Sequence, residues 1–255
     1  MKILISDFDG TFFQSRKYSQ ELRDTVAEWK KEGNVIAIST ARCACRMHET
    51  AVAIDLDCDY YICDHSAIIF DKDWNVISCN TVPKDELMDL FDRLMEIGVE
   101  HISVADGLYE YALCPDNLPR ERETVLQSAE EMRKTVVNPV SLHVRMADAD
   151  VCRNLCDEIN GDPKSKIYAS YCGGKGVFFF KKGNDKAIGG HKLLRIVGGE
   201  KSDVYTIGDG ADDACMISEF KGYGMIDSHP DVVAVARKIY DNVGQLMRDV
   251  MDGKE

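Results

Sequence analysis

The chain has no stretch of Lys and Arg dense enough to follow a phosphate backbone, and 44 acids against 31 bases leave a formal charge of −13. That excludes general nucleic-acid binding. A small phosphorylated substrate stays open, because a local cation overrides the global field. No apolar run approaches the roughly 20 residues of a membrane helix. The N-terminus shows no basic-then-apolar leader, and its first apolar run is too short for one. The cysteines (Cys43, Cys45, Cys58, Cys63, Cys79, Cys114, Cys152, Cys156, Cys172 and Cys215) are scattered with no CxxC pair. Tight zinc-ligand pairs are therefore missing, and reduced, mostly buried thiols in a cytoplasmic protein are expected. Internal repeats and low-complexity segments are absent too.

What is present is enough apolar residue, 45% of 255, to bury a sizeable core. The chain is organised around Lys2 to Thr11. The run Ile3-Leu4-Ile5 suits a strand buried on both faces, as in a parallel sheet. It ends in two carboxylates, Asp7 and Asp9, before Gly10 and Thr11 turn the chain away. The carboxyl end of such a strand is where open α/β sheets place their chemistry. Two acids beside a core run need positive compensation.

Ser19 is placed to cap a helix carrying Leu22, Val26 and Trp29, which Gly33 closes. Val35 to Ile38 forms a second strand, and the βαβ unit brings the hydroxyl of Ser39 or Thr40 near Asp7. A helix over Cys45 to Ala53, a strand at Tyr60 to Cys63 and a hairpin at Ala67 to Ser78 follow. From Pro83 the pattern changes to a helix with an apolar stripe and then short strands and helices, an α+β section read as an insertion over 83–171. Near Val177 to Phe180 the first pattern resumes, with those phenylalanines as core. Gly183 to Lys186 precedes a helix, and the strand Val204 to Ile207 ends in Gly208-Asp209-Gly210-Ala211-Asp212-Asp213.

If the first sheet is parallel, Asp7, Asp9, Thr40, Lys186, Asp209, Asp212 and Asp213 converge on one edge. So many carboxylates repel one another. Oxygen-only ligands suit Mg²⁺, which completes its shell with water and substrate phosphate. Lys186 adds a second positive charge, and the set forms a cradle for a phosphoryl group.

These residues resemble the haloacid dehalogenase superfamily of phosphatases. DFDGT (Asp7 to Thr11), STAR (Ser39 to Arg42), the Lys186 segment and GDGADD (Gly208 to Asp213) stand in that family's order. The placement of the insert is most similar to the Cof-type, subfamily IIB branch. The resemblance implies an α/β fold: a Rossmann-like parallel-sheet core over 1–82 and 172–255, with an α+β cap over 83–171. It implies a phosphoric monoester hydrolase in which Asp7 is the nucleophile and Asp9 the general acid and base. Thr40 and Lys186 hold the phosphoryl group, with Arg42 and Asp212 as further substrate-binding candidates. Mg²⁺ is bound by Asp7, the carbonyl of Asp9, Asp209 and Asp213. The implied substrate is a small phosphorylated metabolite, such as a sugar phosphate, with no nucleic-acid or membrane partner. The implied protein is a monomer or small homo-oligomer. Within the family a sugar phosphomutase is the alternative. A phosphoacceptor or binding protein without turnover is the alternative from another class.

Two departures stand out. Asp212 occupies a position where the family usually has Asn, and an ionised carboxylate cannot donate to phosphate. His65-Ser66-Ala67 replaces the family's Asn-Gly-Ala. His48, His65 and His143 are read as structural or solvated, and Tyr109, Tyr111 and Arg145 as candidate substrate contacts in the insert.

Overall fold

A computed structural model describes residues 1–113, 122–172 and 174–255; Cys114 lies outside them. The first elements are β1 (Ile3–Asp7), α1 (Gln20–Lys31), β2 (Val35–Ser39), α2 (Ala44–Ala53), β3 (Tyr60–Cys63), β4 (Ile68–Asp71) and β5 (Val76–Cys79). Then come α3 (Lys84–Ile97), β6 (His101–Asp106), β7 (Tyr109–Leu113), β8 (Glu123–Val125), α4 (Ala129–Thr135), β9 (Ser141–Arg145), α5 (Ala149–Gly161), β10 (Ile167–Tyr171) and β11 (Gly176–Lys181). The last are α6 (Lys186–Val197), β12 (Val204–Gly208), α7 (Ala214–Glu219), β13 (Lys221–Met225), α8 (Pro230–Val235), β14 (Ile239–Tyr240) and α9 (Val243–Asp252). They divide into two compact units: Met1–Ala41, Ala51–Ser78 and Asp185–Glu255, and Arg42–Thr50 with Cys79–Asn184.

The first unit is built on a sheet of order β14-β13-β12-β1-β2-β3-β4-β5. β1 lies between β2 and β12, parallel to both, with Asp7 opposite Ser39 and Ser6 opposite Ile207. β2 and β3 extend one way from β1 and β12 to β14 the other, so the order reverses at β1, the position where such sheets bind ligands. Every residue of β1 and β12 is buried, as central strands covered on both faces must be. Ile3 and Ile5 pack with Leu193 of α6 and Ile217 of α7. α1 starts at Ser19, whose hydroxyl accepts from the Leu22 amide, and its buried Trp29 donates to the Val35 carbonyl at 3.0 Å.

The second unit has a sheet of order β10-β11-β9-β6-β7-β8, antiparallel except at β7–β8. The period-two alternation of its strands separates two chemistries. Ile102, Val104, Leu142, Val144, Val177 and Phe179 join Leu87, Phe91 and Leu94 of α3 and Leu155 of α5 in an apolar core. The alternate positions are polar or aromatic, including His101, Ser103, Glu110, Ser141, His143 and Phe178. His101, Ser103, Glu110 and Ser141 are buried nonetheless.

The unit boundaries differ from the sequence expectation in three places, the first being 78/79 where the sequence suggests 82/83. β11 pairs with β10 and β9 rather than returning to the first sheet, so the units divide at 184/185 where the sequence suggests 171/172. An apolar run such as Val177 to Phe180 suits the interior of either sheet, and only pairing decides between them. Arg42–Thr50 also groups with the second unit, although the helix it begins follows a strand of the first.

Candidate active site

The candidate site lies within the first unit at the carboxyl ends of β1, β2 and β12. Asp7 is the last residue of β1, and the chain reverses beyond it through bonds from the Phe12 amide to the Asp7 carbonyl and from the Phe13 amide to the Phe8 carbonyl. At Gly10 φ is +84°, and a Cβ there would stand 2.5 Å from Asp209 Oδ2. Glycine at this turn is what lets Asp209 come close. Thr11 then donates its hydroxyl to Asp209 Oδ1 at 2.6 Å.

The turn after β12 is shaped by Asp213. Its Oδ2 accepts the amides of Asp209 at 3.0 Å and Gly210 at 2.8 Å. The carboxylate folds back over Gly208, where a Cβ would meet it at 2.3 Å. Asp213 Oδ1 faces Lys186 at 2.5 Å. Asp7, Asp209 and Asp213 each bring a carboxylate oxygen within 4.8 Å of the others. Such an all-oxygen set suits Mg²⁺.

Lys186 is the first residue of α6, after Asp185, whose carboxylate caps the helix by accepting the Ile188 amide. A cation at a helix N-terminus opposes the helix dipole, and three carboxylates offset that cost. Its Nζ lies 2.7 Å from Asp7 Oδ1 and 3.0 Å from Asp212 Oδ2, besides Asp213. Burial opposes its charge, yet Asp7, Asp213 and Asp212 outweigh burial and hold the ammonium well above the usual lysine range. Burial is the main influence on Asp7 and raises its carboxyl against the pull of Lys186, with Asp213 adding to the rise. Asp213 is raised by burial as well. In half-exposed Asp212 burial is outweighed by Lys186, which pulls that carboxyl down.

Asp9 is exposed in the turn after β1, bridged to Phe13, and its side chain is outside the carboxylate group around Asp7. Thr40 is buried and donates its amide to the Ile62 carbonyl. Ser39 is buried directly beside Asp7 in the sheet, and its Oγ has no hydrogen-bond partner among the described residues. Arg42 belongs to the second unit, where it donates to Thr50 at 2.8 Å. Tyr109, Tyr111 and Arg145 lie on β7 and β9 of that unit.

His65 lies in a turn of unusual backbone conformation. Asp64, His65 and Ser66 take left-handed φ of 52°, 51° and 68° in succession. Lys192 of α6 secures this turn by donating to the Ser66 carbonyl at 2.9 Å. His65 is buried, and burial pushes its imidazole down to about 4 even though Asp212 pulls the other way. The neutral ring therefore sits within electrostatic reach of both Asp212 and Lys186.

No helix among the described residues is long and apolar enough to cross a membrane. A family model described as haloacid dehalogenase-like hydrolase matches residues 4–245. YxeH of Bacillus subtilis (strain 168), whose name calls it a phosphatase, is 26% identical over 92% of this chain and 91% of its own. A haloacid dehalogenase-like hydrolase from Bacteroides thetaiotaomicron superposes with a TM-score of 0.83 at 17% identity, covering 98% of this chain and 99% of its own. The subclass IIB sugar phosphatase BT4131 does so at 0.78 and 18% identity, covering 98% and 99%. With the motif order, the reversal of the sheet at β1 and a match over nearly its whole length, this chain belongs to the haloacid dehalogenase-like hydrolases.

Proposed function

We propose that the protein is a Mg²⁺-dependent phosphatase of a small phosphorylated metabolite, a sugar phosphate being the class best supported. One observation carries the chemistry: a buried ammonium on Lys186 holds Asp7 in place beside the carboxylates of Asp209 and Asp213. The phosphatase name of YxeH and the sugar phosphatase among the structural neighbours support the substrate class.

In this reading Asp7 attacks phosphorus in line with the leaving oxygen, forming an acyl phosphate as the P–O bond to the substrate breaks. Asp9 gives its proton to the departing alcohol. It then takes one from the water that attacks phosphorus, and cleavage of the Asp7–phosphoryl bond returns a free carboxylate and inorganic phosphate. Lys186 balances charge on the transferring group, and Thr40 hydrogen-bonds to it. Asp7, Asp209 and the Asp9 carbonyl, with Asp213 in or near the shell, would hold Mg²⁺, which would supply positive charge to offset Asp7 and the phosphoryl oxygens. Asp213 acts mainly by positioning, since both of its oxygens already serve the turn and Lys186. A cytoplasmic monomer or small homo-oligomer fits this role.

The test is hydrolysis of p-nitrophenyl phosphate and a panel of sugar phosphates, with Mg²⁺ and with EDTA. Metal-dependent release of phosphate from a sugar monoester supports the reading. Interconversion of sugar phosphate isomers without net release would assign a mutase instead.

A further inference from the structure

The second unit contains a side-chain cluster that phosphoryl chemistry leaves unused. Cys43 and Cys45, at the start of α2, bring their sulfurs to 3.3 Å from each other. Glu110 Oε2 on β7 lies 3.2 Å from Cys45 Sγ and 3.8 Å from Cys43 Sγ. All three residues belong to the second unit, and their exposures are 4%, 2% and 2%. Glu110 Oε1 takes the Ser103 hydroxyl at 2.6 Å. Arg46 reaches Oε2 at 3.3 Å and Oε1 at 3.4 Å.

We infer that Cys43, Cys45 and Glu110 form a site for a single zinc-like divalent ion, distinct in chemistry from the oxygen-only cluster around Asp7. Tetrahedral zinc at ordinary bond lengths needs sulfurs about 3.8 Å apart and sulfur–oxygen edges of about 3.5 Å. The observed triangle of 3.3, 3.2 and 3.8 Å is within about half an ångström of that on every edge. Thiolates select zinc over Mg²⁺, which takes oxygen ligands.

Charge gives a second argument. Binding releases both S–H protons to solvent, leaving two thiolates and a carboxylate. Zinc with Arg46 brings those three negative charges to zero, the condition under which ions are tolerated in a buried site. Glu110, paired with Arg46, already sets a carboxylate against both sulfurs. A bound divalent cation favours the ionised thiolates.

The ion would fasten the Arg42–Thr50 segment to β7. This site does not depend on the phosphatase reading, and its test needs no turnover. Reduced, EDTA-stripped full-length protein is given one equivalent of Zn²⁺, dialysed, and examined by X-ray absorption at the zinc edge. The expected result is one retained zinc with two sulfur neighbours and an oxygen or nitrogen remainder. A shell of oxygen and nitrogen alone, or no retained zinc, overturns the proposal. With Co²⁺ as probe, a thiolate-to-metal band in the near ultraviolet should appear at one equivalent and vanish in Cys43→Ser/Cys45→Ser. Persistence of the band in that double variant also overturns the site. Should the double variant fail to fold, the zinc-edge spectrum of the unmodified protein decides.

Discussion

Lys186 Nζ lies 2.7 Å from Asp7 Oδ1, with only 3% and 9% of the two side chains exposed. Each charge is placed where it could not stand alone, so neither can be removed without leaving the other buried and unbalanced. Lys186→Met removes the ammonium and leaves Asp7 and Asp213 buried without their partner. We expect a loss of about 3–5 kcal/mol in unfolding free energy together with loss of turnover. Urea denaturation measures the first; unchanged stability would contradict the pairing.

Gly10→Ala sets a methyl group against Asp209 and demands a left-handed backbone of a residue with a Cβ. The expected result is a small loss of stability, about 1 kcal/mol, with a much larger loss of Mg²⁺ affinity as Asp209 is displaced. A Mg²⁺ titration of activity, compared between variant and parent, separates the two effects. Equal Mg²⁺ dependence would mean that Asp209 is not a ligand.

Asp212→Asn removes a negative charge 3.0 Å from Lys186 and adds a donor toward the space where phosphate would sit. The Michaelis constant for p-nitrophenyl phosphate should fall several-fold while Mg²⁺ dependence is kept. A rise would assign Asp212 to holding Lys186 rather than to opposing phosphate.

Much of this site was legible in the sequence, because its groups lie at strand ends in short motifs where spacing fixes geometry. DFDGT and GDGADD placed Asp7, Asp209 and Asp213 together. The less legible parts depend on long-range pairing. Val177 to Phe180 has the same apolar character whether it joins the first sheet or the second. Cys43 and Cys45 are two residues apart rather than in a CxxC pair, and Glu110 joins them only through the fold of β7. The left-handed run at Asp64, His65 and Ser66 is likewise hidden in the sequence, because non-glycine residues seldom adopt it.

His143 yields a pH prediction. Burial, with the nearby His101, Arg46 and Arg145 charges, pushes its imidazole down to about 3 against the pull of Glu110. The unfolded chain, with an ordinary value of about 6.5, therefore binds a proton that the folded protein refuses. The stabilising contribution is complete above about 6.5 and is lost as pH falls toward 3, by up to a few kcal/mol. His143→Gln should flatten that part of the stability–pH curve. Parallel curves for the two proteins would show that His143 is not the group responsible.

The most direct test of the central claim is to look for the phosphoryl group on Asp7. Asp9→Asn, which keeps the nucleophile and weakens activation of water, is mixed with p-nitrophenyl phosphate and Mg²⁺, quenched in acid and digested for peptide mass spectrometry. The account predicts a phosphoryl adduct on the peptide containing Asp7, absent in Asp7→Asn/Asp9→Asn. A burst of p-nitrophenol with no adduct on Asp7, or an adduct on another residue, would contradict it.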